Sequence, residues 1–309
     1  MDQAKRVHQL NVLFDNVNFA SDSGPNNFSK KLAHKLKELG YNILMNGDTS
    51  KTPDVQLSFI SNIENRAPIV LRLDGLYFNT EQPWKLLNDP IRRSYELASA
   101  IVFQSEFNKK LVEKYIGDHD NCHIIHNGTN LDWIEEIPPI DSPVLDGFSG
   151  VWCCASTWRP HKRLSENIRY FLEHAPDDCC FVVAGDTTEE QHEDPRIFYA
   201  GKLDWVSLVG LFKRSETFVH LAWLDHCPNV VVDARASGCH IVCSSTGGTS
   251  EIAGKNATII SEDEWDLEPV KLYEPPALDF SRKLENDNDS GLSINQVTEK
   301  YIEVFRSVI

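Results

Sequence analysis

Asp225 and Asp233 stand eight positions apart, with Cys227-Pro228-Asn229 and the apolar run Val230-Val231-Val232 between them. A carboxylate accepts hydrogen bonds from vicinal hydroxyls, as an acidic residue does with ribose in dinucleotide-binding folds. Eight helical steps span ~12 Å at most, which is the scale of a nucleotide sugar from ribose to hexose. Pro228 falls where proline starts a helix well, and Gly238 suits its end. The simpler reading makes Asp225 a helix-capping acid and Asp233 a surface residue. Three valines and Ala234 around Asp233 speak against a purely exposed position. Further on, SSTGGTSEI (244–252) carries Gly247, Gly248 and Thr249 in a turn after a strand. Such a turn brings backbone amides close to a phosphate. Upstream, STWRPHKRL (156–164) gathers Arg159, His161, Lys162 and Arg163 at a helix start. Cations are unfavourable at that end of a helix dipole unless they serve an anion there.

These residues need elements that hold them at one edge. LNVLFD (10–15), YNILMN (41–46), VQLSFI (55–60), APIVLRLDG (67–75), AIVFQS (100–105) and CHIIHNG (122–128) read as strands. FSKKLAHKLKELG (28–40), DPIRRSYELASA (89–100) and EFNKKLVEKYIG (106–117) have helical spacing. The alternation predicts a parallel sheet covered by helices. The aperiodic stretch IEEIPPIDSPVLDGFSG (134–150) reads as a linker, with 138–150 separating a first domain (1–137) from a second (151–285). In that second domain VWCCAS, CCFVVAG (179–185), RIFYAG, TFVHLAW (217–223) and HIVCSS read as strands. RLSENIRYFLEHA, DWVSLVGLFKRS and PNVVVDARASG read as helices. The acidic stretch SRKLENDNDSG (281–291) reads as flexible, and INQVTEKYIEVFRSVI (294–309) as a closing amphipathic helix. Two parallel sheets in series predict a cleft between facing strand ends.

Composition narrows the partners. The chain has 309 residues, 30 basic and 46 acidic side chains, and a net charge of -16. That surface repels nucleic acid and anionic membrane, so neither is expected as a partner. No run approaches a membrane span, and MDQAKRVHQLNVLFDNV has too short an apolar stretch for a signal peptide, so a cytoplasmic protein is expected. The eight cysteines include no CxxC, and reduced core thiols are expected over disulfides or zinc.

At the acidic pair, the basic cluster and the glycine turn, the sequence resembles the retaining glycosyltransferases of family 4, which have the GT-B fold. Members typically carry two glutamates with seven residues between them, then a strand and a GG-x-x-E turn. Here both acids are aspartate, one methylene shorter, and the turn reads Gly247-Gly248-Thr249-Ser250-Glu251. The family's Arg/Lys phosphate pair resembles Arg159 and Lys162. FYAGKLDWVSLVGLFKRSETFVHLAW looks like the stretch that runs from the base-binding loop, here Lys202 and Leu203, to the acidic motif. SDSGPNNFSKKLAHKL is similar to the glycine loop and helix after the first strand, with Gly24. IVLRLDG puts Asp74 where many members have histidine.

The resemblance implies two Rossmann-like domains facing across a cleft, with the segment 286–309 crossing back to the first. It implies transfer from a nucleoside-diphosphate sugar with retention of configuration, no cofactor and no metal. Arg159, Lys162, Gly247, Gly248, Thr249 and Gly24 would face the diphosphate. Asp225, Cys227, Pro228 and Asn229 would face the sugar, and Asp233 the ribose. Asp74 would lie on the side of a glycan, lipid or small-molecule acceptor. Other classes fit less well. SDSGPNN is not the GxGxxG of a dehydrogenase. Asp118-His119-Asp120 has the letters of a metal-binding Asp-x-Asp but sits in a polar turn. A degenerate GT-B protein that binds a nucleotide sugar or a partner without transfer stays open.

Overall fold

Residues 10–21 and 23–309 are described by a computed structural model; the start of the stretch examined for a signal peptide, residues 1–9, lies outside the described residues. The apolar runs of the first half form a parallel sheet from β1 (Asn11–Asp15), β2 (Asn42–Met45), β3 (Val55–Phe59), β4 (Ile69–Leu73), β5 (Ala100–Phe103) and β6 (Cys122–Ile124), in the order β2-β1-β3-β4-β5-β6. All five pairings are parallel. Strands β3, β4 and β5 are buried along their whole length, which is why they read as near-continuous apolar runs rather than alternating ones. Helices α1 (Gly24–Glu38), α2 (Trp84–Leu97), α3 (Glu106–Tyr115) and α4 (Leu131–Glu136) accompany this sheet.

The second sheet holds β7 (Gly150–Ala155), β8 (Cys179–Ala184), β9 (Ile197–Gly201), β10 (Thr217–His220), β11 (His240–Ser244), β12 (Thr258–Ile260) and β13 (Lys283–Leu284), ordered β13-β12-β11-β10-β7-β8-β9. Only the two-residue edge strand β13 runs antiparallel. Its helices are α5 (Leu164–His174), α6 (Trp205–Arg214), α7 (Asn229–Ala236) and α8 (Thr249–Ile252). Strand order reverses between β7 and β10. At such a switch point the loops leave in opposite directions and open a crevice at the carboxyl ends.

The last helix, α9 (Ile294–Val308), lies in the core of the first lobe. Its Ile294, Val297, Tyr301, Val304 and Phe305 pack with Val12, Phe14, Phe28 and Leu32. The apolar stripe at helical spacing is thus buried against α1 and the first sheet, not against the second lobe that precedes it in sequence.

Several elements differ from the sequence reading. Helix α1 begins at Gly24 rather than Phe28, because Pro25 takes a first-turn position where its missing N–H is harmless. Helix α2 begins at Trp84 and runs through Pro90. The carbonyl that Pro90 leaves without a donor belongs to Leu86, whose residue is 68% exposed, so water can serve it. Helix α4 takes up the first residues assigned to the linker. β13 forms within the acidic stretch, and α8 inside the glycine turn. All eight cysteines are free, and all but Cys122 are buried.

Candidate functional site

The loop between β10 and α7 carries Asp225, and the first lobe grips that loop. Trp223 and Leu224 belong to the same apolar cluster as Leu71, Leu73 and Phe103 of the first sheet. Leu224 has φ +56°, a left-handed conformation that costs a non-glycine residue about 1–2 kcal/mol and persists where packing over-determines it. The His226 ring lies against Phe107 and Phe78 of the first lobe, with centroids 5.3 and 6.2 Å away. It also crowds Gly75, whose φ is +129° and where a Cβ would overlap the imidazole. Gly75 is therefore glycine for two reasons, its backbone angle and its neighbour.

Asp225 accepts from three donors. Lys162 Nζ lies 2.5 Å and His220 Nε2 3.0 Å from Oδ2, while the His226 amide donates to Oδ1 at 3.0 Å. Burial alone would raise this carboxyl. The Lys162 ammonium and the His220 hydrogen bond outweigh it and hold Asp225 well below the usual carboxylate range. Asp225 is therefore a fixed anion. Burial keeps the neighbouring imidazoles neutral. His220 is lowered despite Asp225, His226 falls to about 4 and His161 to about 3. With His220 neutral, its Nε2–H is the donor.

A cavity of about 290 Å³ opens where the two lobes meet. The second lobe contributes Arg159, His161, Asp225, His226 and Tyr273 to it, and the first lobe Asp74, Tyr77, Asn79 and Gln82. Asp74 follows β4 and is held by Arg72 and Gln104. Burial pushes its carboxyl upward against the pull of Arg72. Arg72 is 1% exposed, lies 4.3 Å from the Phe28 ring centroid, and donates to Asn127 at 2.7 Å. Asn127 in turn donates across the seam to the Cys227 carbonyl at 2.9 Å. One buried polar chain thus fixes Asp74 on one side of the cavity and the end of the Asp225 loop on the other.

The structure brings Asp225, Lys162, Arg159 and Asp74 together, and treats the remaining expected residues differently. Arg163, part of the basic cluster, is turned inward onto Glu262 at 2.6 Å. His161 is neutral and stacked on Tyr273. The cluster therefore offers two cations to the site, Arg159 and Lys162. Gly247 and Gly248 pack on the Asp225 loop. A Cβ on Gly247 would come 2.5 Å from the Asp225 carbonyl oxygen, and one on Gly248 would overlap the His226 carbonyl. The Gly248 amide donates to the Asp225 carbonyl at 2.7 Å, so it seats the loop rather than standing open for a phosphate. Thr249 is fully buried. Pro228 is the N-cap of α7 and not its first residue. Cys227 belongs to the second-lobe core, where burial raises its thiol to about 12. The Asn229 amide donates to the Gly24 carbonyl at 2.9 Å, which joins the starts of α7 and α1. Leu203 packs against the second-lobe core, and the Lys202 amide donates to Asp186.

Asp233 is the main departure. It is 4% exposed, and both its oxygens are taken. Lys31 Nζ of α1 lies 2.8 Å from Oδ1, and Trp205 Nε1 lies 3.0 Å from Oδ2. With these partners in place the carboxylate is closed off from solvent, and so from a ribose. The neighbours of Asp233 in sequence give no sign of this pairing, because Lys31 is 202 positions away. Glu251 also crosses between the lobes. It accepts from the first-turn amides of α3, Glu106 at 2.8 Å and Phe107 at 3.0 Å, and pairs with His126 at 3.0 Å.

His220, His226 and Tyr273 went unnoticed in the sequence. His220 had a signal, since it ends a strand five residues before Asp225. His226 and Tyr273 did not, because their partners lie on distant segments.

A family model described as "Glycosyl transferases group 1" matches residues 150–268. No curated protein matches the chain. Among solved structures, Anabaena Alr3699/HepE in complex with UDP-glucose is similar over 97% of this chain and 100% of its own, with TM-score 0.65 and 12% identity. Sucrose-phosphate synthase from Thermosynechococcus elongatus covers 97% and 99%, with TM-score 0.69 and 10% identity. The catalytic domain of starch synthase IV from Arabidopsis thaliana, bound to ADP and acarbose, covers 97% and 99% with TM-score 0.65 and 10% identity. The two sheets, their switch point and these likenesses define the GT-B fold. No helix among the described residues is long and apolar enough to cross a membrane.

Proposed function

We propose that this chain is a glycosyltransferase that moves a sugar from a nucleoside-diphosphate sugar to a hydroxyl acceptor, with retention of configuration. The observation that carries the proposal is the Asp225 carboxylate. It is held ionised by Lys162 and His220, and it faces a cavity shared with Arg159 and with Asp74 of the opposite lobe. A fixed anion can hold sugar hydroxyls. Two cations beside it can stabilise a departing diphosphate, the largest charge that develops in the transfer. The bond between the anomeric carbon and the diphosphate oxygen breaks. The acceptor oxygen bonds to that carbon on the same face, and the leaving phosphate takes the acceptor proton. Arg159 and Lys162 supply the charge that a metal gives in other transferases, so turnover should not need one. Asp74 would face the acceptor.

The donor should be sought by thermal stabilisation with UDP-, GDP- and ADP-sugars, since a ligand at 100 times its Kd stabilises by about 2.7 kcal/mol. NMR of the anomeric proton in the first product then tests retention. An inverted product, or no transfer from any donor to a hydroxyl panel, would overturn the proposal. A second reading, a protein that transfers nothing, is favoured by one observation: the Asp233 carboxylate is buried and already paired with Lys31 and Trp205. Donor binding without transfer or donor hydrolysis would establish it.

A further inference from the structure

A second contact between the lobes, where α1 meets α7, bears on the donor proposed above, on which the inference rests. Asp233 has two partners, and both are informative. One is the Trp205 indole N–H at 3.0 Å, from the residue that opens α6 immediately after the Lys202-Leu203-Asp204 loop. The other is Lys31, which reaches across from α1. The Lys31 ammonium also lies 5.5 Å from the Trp205 ring centroid and 3.1 Å from Thr129 Oγ1. A single cation from the first lobe therefore occupies a carboxylate and an aromatic ring that the second lobe holds side by side. A carboxylate next to an aromatic ring is what a nucleoside needs. The vicinal ribose hydroxyls donate to the carboxylate, and the base lies on the ring, a contact worth about 1–3 kcal/mol per base in nucleic-acid complexes.

We propose that Lys31 is the resident occupant of the nucleoside subsite, and that a nucleoside enters on Asp233 and Trp205 only as the Lys31 ammonium leaves them. The exchange balances chemically. Asp233 trades a cation for two hydroxyl donors and keeps the indole N–H. Trp205 trades a cation for a base. Lys31 trades Asp233 and the Thr129 hydroxyl for water, which its long flexible stem lets it reach. A ligand that must displace an internal competitor binds more weakly by the competitor's own share of the contact. The same two helices are tied a second time, where Asn229 donates to the Gly24 carbonyl.

Calorimetry with UDP, GDP and ADP tests the proposal, using whichever binds wild type most tightly. Lys31→Gln is neutral and can still donate to Asp233. It should bind that nucleotide at least about 10-fold more tightly, the scale of losing a buried charge pair. Lys31→Arg keeps the charge and should bind as wild type does. Trp205→Ala should weaken the nucleotide by about 5–150-fold and leave inorganic pyrophosphate unchanged. A measurement on the wild type alone covers the case of an unstable variant. The acetylation rate of Lys31, which is 9% exposed, should rise several-fold at saturating nucleotide. Nucleotide binding that is unchanged or weaker in Lys31→Gln, or Lys31 acetylation that stays flat or falls, overturns the inference and leaves the transferase reading standing. If no nucleoside diphosphate binds wild type or variants, the transferase reading itself fails.

Discussion

At the scale of single residues, Asp225 organises the site because three donors converge on it. Asp225→Asn removes the charge that Lys162 and His220 face, while keeping the size. A hydrogen bond to a charged group contributes about 1.5–3 kcal/mol, so turnover should fall about 10–150-fold. Free nucleoside diphosphate should bind nearly as before, because the partner of Asp225 is the sugar. Steady-state rates and calorimetry on the one variant separate the two effects. Gly248→Ala probes the seat of the same loop. Its Cβ would overlap the His226 carbonyl and press on Ser105 Oγ, 2.7 Å away. Neither is the far end of a flexible side chain, so the backbone must shift. Overpacking of this kind costs about 1–3 kcal/mol or more, read as a lower melting temperature together with lost activity. Asp225, Lys162, Arg159 and Asp74 were legible in the sequence because each follows a strand, and strand ends in such sheets point at one crevice. The conduct of Asp233, Gly248 and Arg163 was not legible. Each is decided by a partner far away in the chain, and a residue type says nothing of which partner wins.

At the scale of elements, the sequence revealed the alternation of strands and helices because buried parallel strands and amphipathic helices have different periods. The boundaries depended on solvent and capping. Pro90 reads as a helix start by its usual preference, and only the exposure of the turn before it lets α2 pass through. Two elements carry predictions. Phe305 of α9 is fully buried in the first-lobe core. Phe305→Ala should destabilise the chain by about 3–5 kcal/mol, the usual figure for a large-to-small change in a core. Denaturant unfolding followed by a probe in the first lobe checks it. A loss confined to the second lobe would contradict the packing. Glu251 of α8 caps α3 from across the cleft. Glu251→Ala should cost about 0.5–2 kcal/mol, the range for losing an N-terminal cap, and should raise amide exchange at Glu106 and Phe107 in particular.

At the scale of the whole molecule, the two lobes are joined by contacts that respond to acid in one direction. His226 is lodged between the lobes with Phe78 and Phe107 against its ring, and His161 is stacked on Tyr273 beside the same cavity. Burial lowers both, to about 4 and about 3 from an ordinary 6.5. The nearby Asp225 raises them and Lys162 lowers them, and burial dominates. For a base lowered on folding, the unfolded chain binds a proton that the folded chain refuses. Stability from these groups is therefore fully present above pH 6.5. It falls as pH drops from 6.5 toward 4 for His226, and toward 3 for His161. Asp225 adds a loss of the same direction only below its ordinary 3.8, in a separate and lower window. Between pH 6.5 and 5 the two imidazoles together should cost up to about 3 kcal/mol of unfolding free energy. His226→Phe suits the aromatic surroundings and cannot take a proton, so it should show about half that loss. Denaturant unfolding at pH 6.5 and pH 5, on wild type and on His226→Phe, reads the difference directly. Equal losses in the two proteins would mean that His226 is not held neutral between the lobes, and that the grip of the first lobe on the Asp225 loop does not depend on that buried ring.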